Sequence, residues 1–281
     1  MDPLIAQISE ENHLGLTDVT PLSGGDINRV FLLSSPSQKY VVKINHAKRF
    51  PGLFTAEAKG LSLLARSESF QIPKVIASGI IQDFSYLLLE HIEEGNPRPG
   101  FWEDFAQNLA ALHQHTADEF GLDHDNYIGS LPQYNHRVAR GDEFYITQRL
   151  EPQFKKAREQ GYSFTNITSF YKVLSGILPN EPPALIHGDL WNGNYLVSST
   201  HVATLIDPAV AYAPREMDLG MMQLFGGFPT EVFERYHEIF PLAKGWTERR
   251  PLWQLYYILV HLNLFGAGYY DQVQRILKQY S

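Results

Sequence analysis

The segment His187-Gly188-Asp189-Leu190-Trp191-Asn192-Gly193-Asn194 places a carboxylate five residues ahead of an amide, and a second carboxylate, Asp207, follows thirteen residues after Asn194. Phosphoryl-transfer enzymes use this order: a base for the attacking hydroxyl, then two oxygen ligands for the cation on the nucleotide. Asp189 would accept the proton of the hydroxyl, and Asn194 and Asp207 would offer the hard oxygen ligands that Mg²⁺ prefers. Any one of these residues is common in a loop. All three at this spacing argue for chemistry.

Such groups need elements to carry them. The apolar run Ala184-Leu185-Ile186 enters the loop and Tyr195-Leu196-Val197 leaves it, while Val202 to Ile206 reads as a strand ending at Asp207. Short strands flanking a loop would gather the three polar groups over one cleft. His187, flanked by apolar residues, is expected to bond backbone near Asp207. Trp191 is either a packing residue or a wall against a flat or sugar-like acceptor.

Upstream, residues 3–13 read as an amphipathic helix, followed by strands over 16–22, 29–34 and 39–44. The first turn of this meander, Ser23-Gly24-Gly25-Asp26-Ile27-Asn28, would let backbone N–H groups approach phosphate oxygens, which makes Gly24, Gly25 and Asp26 candidates for a nucleotide site. Strand alternation sets Val41 and Lys43 on one face and Val42 and Ile44 on the other. A Lys among apolar neighbours needs an anionic partner. Glu57, on the helix expected over 54–66, is the partner that would aim Lys43 at phosphates. Strands over 73–81 and 85–92 complete the small sheet. The second runs into Glu93-Glu94-Gly95-Asn96-Pro97, a connector that suggests a boundary between residues 1–92 and 93–281. At such a hinge the backbone groups of Glu90 and Ile92 would meet adenine. Beyond it the pattern is helical: 101–116, 143–160, 165–178, 219–225, 231–240, 250–264 and 269–280. Asp218 reads as an N-cap that also reaches back to brace the catalytic loop. His261 and Asn263 are polar positions on an apolar helix and are weaker candidates for acceptor contacts.

The 281 residues carry a formal charge of −8, with 44% hydrophobic and 19% charged residues. That composition suits a globular chain with a sizeable core and argues against a nucleic-acid surface, which would be basic. Cys is absent, so thiolate chemistry and disulfides are excluded and a reducing cytoplasm is the expected home. The opening Met1-Asp2-Pro3-Leu4-Ile5 lacks the basic region and apolar core of a signal peptide. The most apolar stretch, 252–266, is interrupted by Gln254, His261 and Asn263, so it reads as a buried helix and no membrane span is expected.

The catalytic segment, with Gly188 where protein kinases carry Arg, resembles that of the fructosamine kinase family, small-molecule kinases related to aminoglycoside and choline kinases. The resemblance extends to Gly24-Gly25-Asp26-Ile27-Asn28, to residues 120–129, to Gln148-Arg149-Leu150, to Asp207-Pro208-Ala209, to Arg215-Glu216-Met217-Asp218-Leu219, to Leu224-Phe225-Gly226-Gly227-Phe228 and to residues 261–266. It implies an α+β, bilobal protein kinase-like fold: a small N-terminal antiparallel sheet with a helix, and a larger, mainly helical C-terminal lobe. It also implies ATP-dependent phosphorylation of the 3-hydroxyl of the sugar in ketosamines, free or on protein lysines, as a deglycating repair; with Mg²⁺ expected at Asn194 and Asp207, the chain is expected to act as a cytoplasmic monomer. Where many eukaryotic relatives carry Cys in the phosphate turn, this chain has Asp26, so a thiol switch there is excluded. Two other readings stand beside this one. One is a kinase for another hydroxylated amine, with Asp123, Asp125 and Glu216 as an acidic acceptor pocket. The other is a nucleotide-binding scaffold, against which the complete set Lys43, Asp189, Asn194 and Asp207 argues.

Overall fold

A computed structural model of the chain describes residues 2–22 and 27–280. The turn residues Gly24, Gly25 and Asp26 lie outside the described residues. Helix α1 (Pro3–Glu11) opens with Pro at its first position and with Asp2 accepting the N–H of Leu4 at 2.9 Å, an N-cap that satisfies one of the free amides of the first turn. It seats Ile5 and Ile8 on a five-stranded antiparallel sheet built from β1 (Asp18–Leu22), β2 (Arg29–Ser34), β3 (Lys39–His46), β4 (Val75–Ile81) and β5 (Phe84–Glu90). The strand order is β1-β2-β3-β5-β4, so β3 is central and β4 an edge. Helix α2 (Leu53–Arg66), inserted between β3 and β4, covers the other face through Leu53, Phe54 and Leu61. The expected alternation in β3 holds: Val42 and Ile44 pack with α1, and Lys43 is buried on the side of α2.

After β5 the chain crosses residues 93–95, where Gly95 N–H donates to Val197 at 2.8 Å and Glu93 accepts from Ser199 at 2.6 Å. The remainder is mainly helical. It comprises α3 (Phe101–Gln114), the hairpin β6 (Asn126–Ile128) and β7 (Leu131–Gln133), α4 (Gly141–Phe144), α5 (Glu151–Glu159), α6 (Ile167–Ile177), four short strands β8 (Ala184–Ile186), β9 (Tyr195–Val197), β10 (Ala203–Leu205) and β11 (Ala211–Ala213), and then α7 (Glu216–Leu224), α8 (Thr230–Ile239), α9 (Trp246–Phe265) and α10 (Tyr270–Gln279). The single helix expected over 143–160 is interrupted by a π-helical segment, Tyr145–Leu150, between α4 and α5. Within it, Arg149 and Tyr145 are both buried in the core. Helix α9 is the central post. Leu252, Trp253, Leu255, Tyr257, Ile258 and Leu259 are all buried in one cluster with α5, α6 and α10. Full burial of each such side chain contributes about 1.5–3 kcal/mol. Among the described residues no helix is long and apolar enough to cross a membrane.

Candidate active site

Strand β9 pairs with β10 and β8 with β11, both antiparallel, and these two ladders close the catalytic loop on itself. Asn194 is buried, and its Nδ2 donates to the backbone carbonyl of Asp189 at 2.7 Å and to Asp189 Oδ2 at 3.1 Å. Ile206 N–H donates to the Asn194 carbonyl at 3.0 Å, which brings Asp207 to the same cleft. Gly188, at φ +83°, could carry no side chain: a Cβ there would lie 2.0 Å from the Ala209 carbonyl oxygen. Close packing of the catalytic loop on the segment after Asp207 excludes the Arg that protein kinases place here.

Asp218 corrects one expectation and meets another. It is the third residue of α7 and not its cap, and it is fully buried. Its two carboxylate oxygens accept the backbone N–H groups of His187 and Gly188, both at 2.8 Å, so the bracing role holds. His187 is structural as expected: Nε2–H donates to the Ile206 carbonyl at 2.9 Å, and Nδ1 faces the Asp189 N–H at 3.3 Å. Because a carbonyl can only accept, this fixes the neutral tautomer. Burial lowers its pKa and keeps it neutral, against the pull of Asp218.

On the sheet side, Lys43 Nζ donates to Glu57 Oε1 at 2.6 Å and to the carboxylate of Asp207. Burial alone would lower the pKa of the ammonium, but Asp207 and Glu57 more than offset this and hold it above its ordinary value. Burial raises the pKa of Glu57, with Lys43 opposing and Asp207 reinforcing the shift. Asp189 is half-buried, and burial pushes its carboxyl up to about 7, with Asp207 and Asp218 adding to the rise and the Asn194 bond opposing it. A carboxylate poised near neutrality in a cleft is suited to taking a proton.

Of the two residues expected at the hinge, Glu90 donates its N–H to the Lys74 carbonyl at 2.9 Å. Ile92 is buried. On the opposite side of the loop, the Trp191 ring lies over Gly193, where an added Cβ would sit 2.3 Å from the indole, and the ring remains 37% exposed. Gly227 packs as closely on Asn192, which ties the 225–228 turn to the catalytic loop. Phe225 in that turn is 4.8 Å, centroid to centroid, from His261, whose ring also meets Phe265 at 5.4 Å and Tyr269 at 5.2 Å. These rings form one aromatic shelf.

Asn263 is not part of it. Its Nδ2 donates to the Gln153 carbonyl at 3.0 Å and to Gln153 Oε1 at 2.8 Å, within the helical core. The acidic trio does not form an acceptor pocket either. Glu216 is buried and satisfied by Arg249 Nε at 2.9 Å and Trp253 Nε1 at 2.7 Å. Asp125 accepts the Asn135 N–H at 2.8 Å. Asp123 binds His124 at the edge of a cavity of about 910 Å³ behind α2, lined by Lys59, Arg66 and Asp118.

Sequence reasoning missed two buried groups behind the cleft. His113 bonds Tyr236 at 2.8 Å and lies 3.3 Å from Asp218, extending the brace of the catalytic loop. Asn126 on β6 and Gln133 on β7 reach the carbonyls of Val210 and Ala209. The available signal was polarity out of place: an uncharged amide at the end of each apolar arm of a hairpin.

The donor set fits a hard divalent cation. Asp207 supplies a carboxylate, and with Asn194 Nδ2 committed to Asp189, Oδ1 is the atom left to coordinate. Among the described residues no group of three or more His, Asp or Glu could hold a metal unaided. Cations of the Mg²⁺ kind need only one or two protein carboxylates, with phosphates and water filling the shell.

The sequence matches the fructosamine kinase family model over residues 1–281. A "Probable ketoamine kinase" from Synechocystis is 40% identical, covering 92% of this chain and 88% of its own, and one from Lactiplantibacillus plantarum is 40% identical, covering 95% and 96%. The solved structure of a fructosamine-3-kinase candidate from Haemophilus somnus superposes with a TM-score of 0.89 at 30% identity, covering 98% of this chain and 96% of that one. A thermostable variant of an aminoglycoside phosphotransferase, solved with AMP-PNP and hygromycin B, shares the fold with a TM-score of 0.68 at 15% identity, over 98% of each chain.

Proposed function

This chain belongs to the fructosamine kinase family, phosphotransferases of the bilobal kinase-like fold, and from that premise we propose that it transfers the γ-phosphoryl group of ATP to a sugar hydroxyl of a ketosamine. The observation that carries the reading is the convergence of Lys43, Glu57 and Asp207, from β3, α2 and the end of β10, on the cleft that also holds Asp189 and Asn194. Phosphoryl transfer asks mainly for position and charge, and these groups supply both.

Lys43, held by Glu57, carries charge on the α- and β-phosphates. The Glu90 carbonyl and the backbone of Ile92 meet the adenine, at a lobe boundary between residues 92 and 93. Asn194 and Asp207 would hold Mg²⁺, which would supply neutralisation of phosphate charge. Asp189 aligns the acceptor hydroxyl and receives its proton as the new O–P bond forms and the bond to the β-phosphate oxygen breaks, releasing ADP. Trp191 and His261 form the acceptor side, with the sugar against the indole.

The acceptor is a ketosamine, phosphorylated at the 3-hydroxyl, the position by which the Haemophilus protein is named. Free or protein-bound fructosamine, ribulosamine and erythrulosamine are the candidates, and deglycation is the consequence. An aminoglycoside acceptor is disfavoured by the fate of the acidic trio, since Glu216 is already neutralised in the core and Asp123 lies at the cavity behind α2. ADP release from Mg-ATP on addition of a ribulosamine tests the proposal. Its absence with every ketosamine offered would refute it.

A further inference from the structure

Asp207 stands at φ +56°, a left-handed conformation that costs a non-glycine residue of order 1 kcal/mol or more and persists only where its surroundings fix it. Before it, Ile206 is held from both sides, its carbonyl by His187 and its N–H by Asn194. After it, Ala209 N–H donates to the His187 carbonyl at 2.9 Å. The two carbonyls that follow are held by something the catalytic motif does not contain. Gln133 Nε2 donates to the Ala209 carbonyl at 3.0 Å, and Asn126 Nδ2 donates to the Val210 carbonyl at 2.8 Å.

These two amides are themselves oriented. Tyr256 donates its hydroxyl to Gln133 Oε1 at 2.7 Å, which turns Nε2 toward Ala209 and toward Asn126 Oδ1, 2.8 Å away. Asn135 Nδ2 donates to the same Asn126 oxygen at 3.1 Å. Asn135 is in turn held by Arg149 Nη2 at 2.8 Å, and Arg149 is fully buried in the π-helical segment over the ring of Phe144. An Arg placed there is expensive unless its donors are used, and they are: Nη1 donates to the carbonyls of Tyr134 and Gln148. The hairpin β6–β7, the π-helical segment and α9 thus converge, through buried amides, on two backbone oxygens two and three residues after Asp207. A satisfied buried network of this kind is rigid, because a rearrangement would strand a polar group.

We infer that Asn126 and Gln133 are positioning residues for Asp207: they clamp residues 209–210 so that the left-handed turn and its carboxylate keep one orientation toward the cation. This rests on the reading of Asp207 as the cation ligand. In protein kinases the corresponding segment leads to a switchable activation loop. Here the clamp fixes it permanently, which gives a purpose to residues 120–135 and to Gln148-Arg149-Leu150. The interruption of the helix at 145–150 accompanies the inward turn of Arg149 that holds Asn135.

The full-length chain tests this through amide hydrogen exchange of residues 207–212 and calorimetric binding of AMP-PNP with and without Mg²⁺. In Gln133→Met, which leaves the Ala209 carbonyl without its side-chain donor, exchange over 207–212 is expected to quicken about 10-fold or more, a local opening. Affinity for Mg²⁺·AMP-PNP should fall by about 10- to 100-fold, the usual effect of losing a metal ligand's supporting partner. Affinity for AMP-PNP without Mg²⁺ should stay unchanged. Should Gln133→Met not fold, Tyr256→Phe carries the same test with changes of the same sign. Phe154→Leu, a core lesion off the network, is the control for lost stability, and it should move neither readout. Unchanged exchange in the clamp variant, or an equal rise in Phe154→Leu, overturns the clamp. A wild-type protein that binds no Mg²⁺·AMP-PNP while exchange responds as expected overturns instead the reading of Asp207 as a cation ligand.

Discussion

The ammonium of Lys43 donates to the carboxylate of Asp207 across 164 positions of sequence, joining the centre of the sheet to the far side of the cleft. Lys43 holds Glu57 with the same nitrogen. Asp207 is 43% exposed at its side chain and Glu57 only 11%, so Glu57 is the more enclosed partner, and on the proposed reading Asp207 is the one that exchanges Lys43 for a cation. Lys43→Met should therefore lower kcat/KM for ATP by about 10²- to 10³-fold, the cost of losing one preorganised donor. The KM for acceptor should be unchanged in steady-state kinetics at saturating ATP.

Asp189 is expected to set the acid limb of activity. With its carboxyl pushed up to about 7, kcat/KM should rise with pH through that region and level off above it. Asp189→Asn should abolish turnover while leaving AMP-PNP binding intact. The sign for stability follows from linkage. A carboxyl with a folded-state pKa above its ordinary value of 3.8 favours folding below that value, and this contribution is lost as pH rises toward 7. Asp189→Asn should thus melt higher than wild type at pH 8, by about 2–4 °C for each 1 kcal/mol relieved, and the gain should shrink at pH 5. Equal gains at both pH values would remove the ionised carboxylate as the cause.

Trp191 is the proposed contact to the acceptor. Its indole is held in place by Gly193 beneath it yet is partly open to solvent, so Trp191→Ala should raise the KM for a ketosamine by about 10-fold, within the 1–3 kcal/mol that base or ring stacking on an aromatic face supplies. The KM for ATP should stay within a factor of two. The opposite split would assign the ring to packing of the loop.

The catalytic loop, β3 with its buried Lys, α2 with Glu57 and the order of the helices were legible in the sequence because each rests on local signals: strand alternation, helical spacing, and polar residues at fixed intervals. The bracing of the loop by Asp218 was also legible, though not its place inside α7. What escaped were contacts between segments far apart in the chain. Asn126 and Gln133 look like ordinary loop amides until the hairpin is laid against residues 209–210. Arg149 looks like a surface residue of a continuous helix until the π-helical segment turns it inward. Asn263 shared a helix with His261 and was grouped with it, yet two residues along a helix is more than half a turn, which sends Asn263 to Gln153 and His261 to the aromatic shelf.

The most direct measurement is a phosphorylation assay with purified protein, Mg-ATP and a matched panel of fructose-, ribulose- and erythrulose-amines beside aminoglycosides and choline, with product identified by phosphorus NMR. The expected result is turnover of at least one ketosamine, with the phosphate on the sugar 3-hydroxyl and no comparable turnover of the other amines. Turnover of aminoglycosides or choline alone would contradict it.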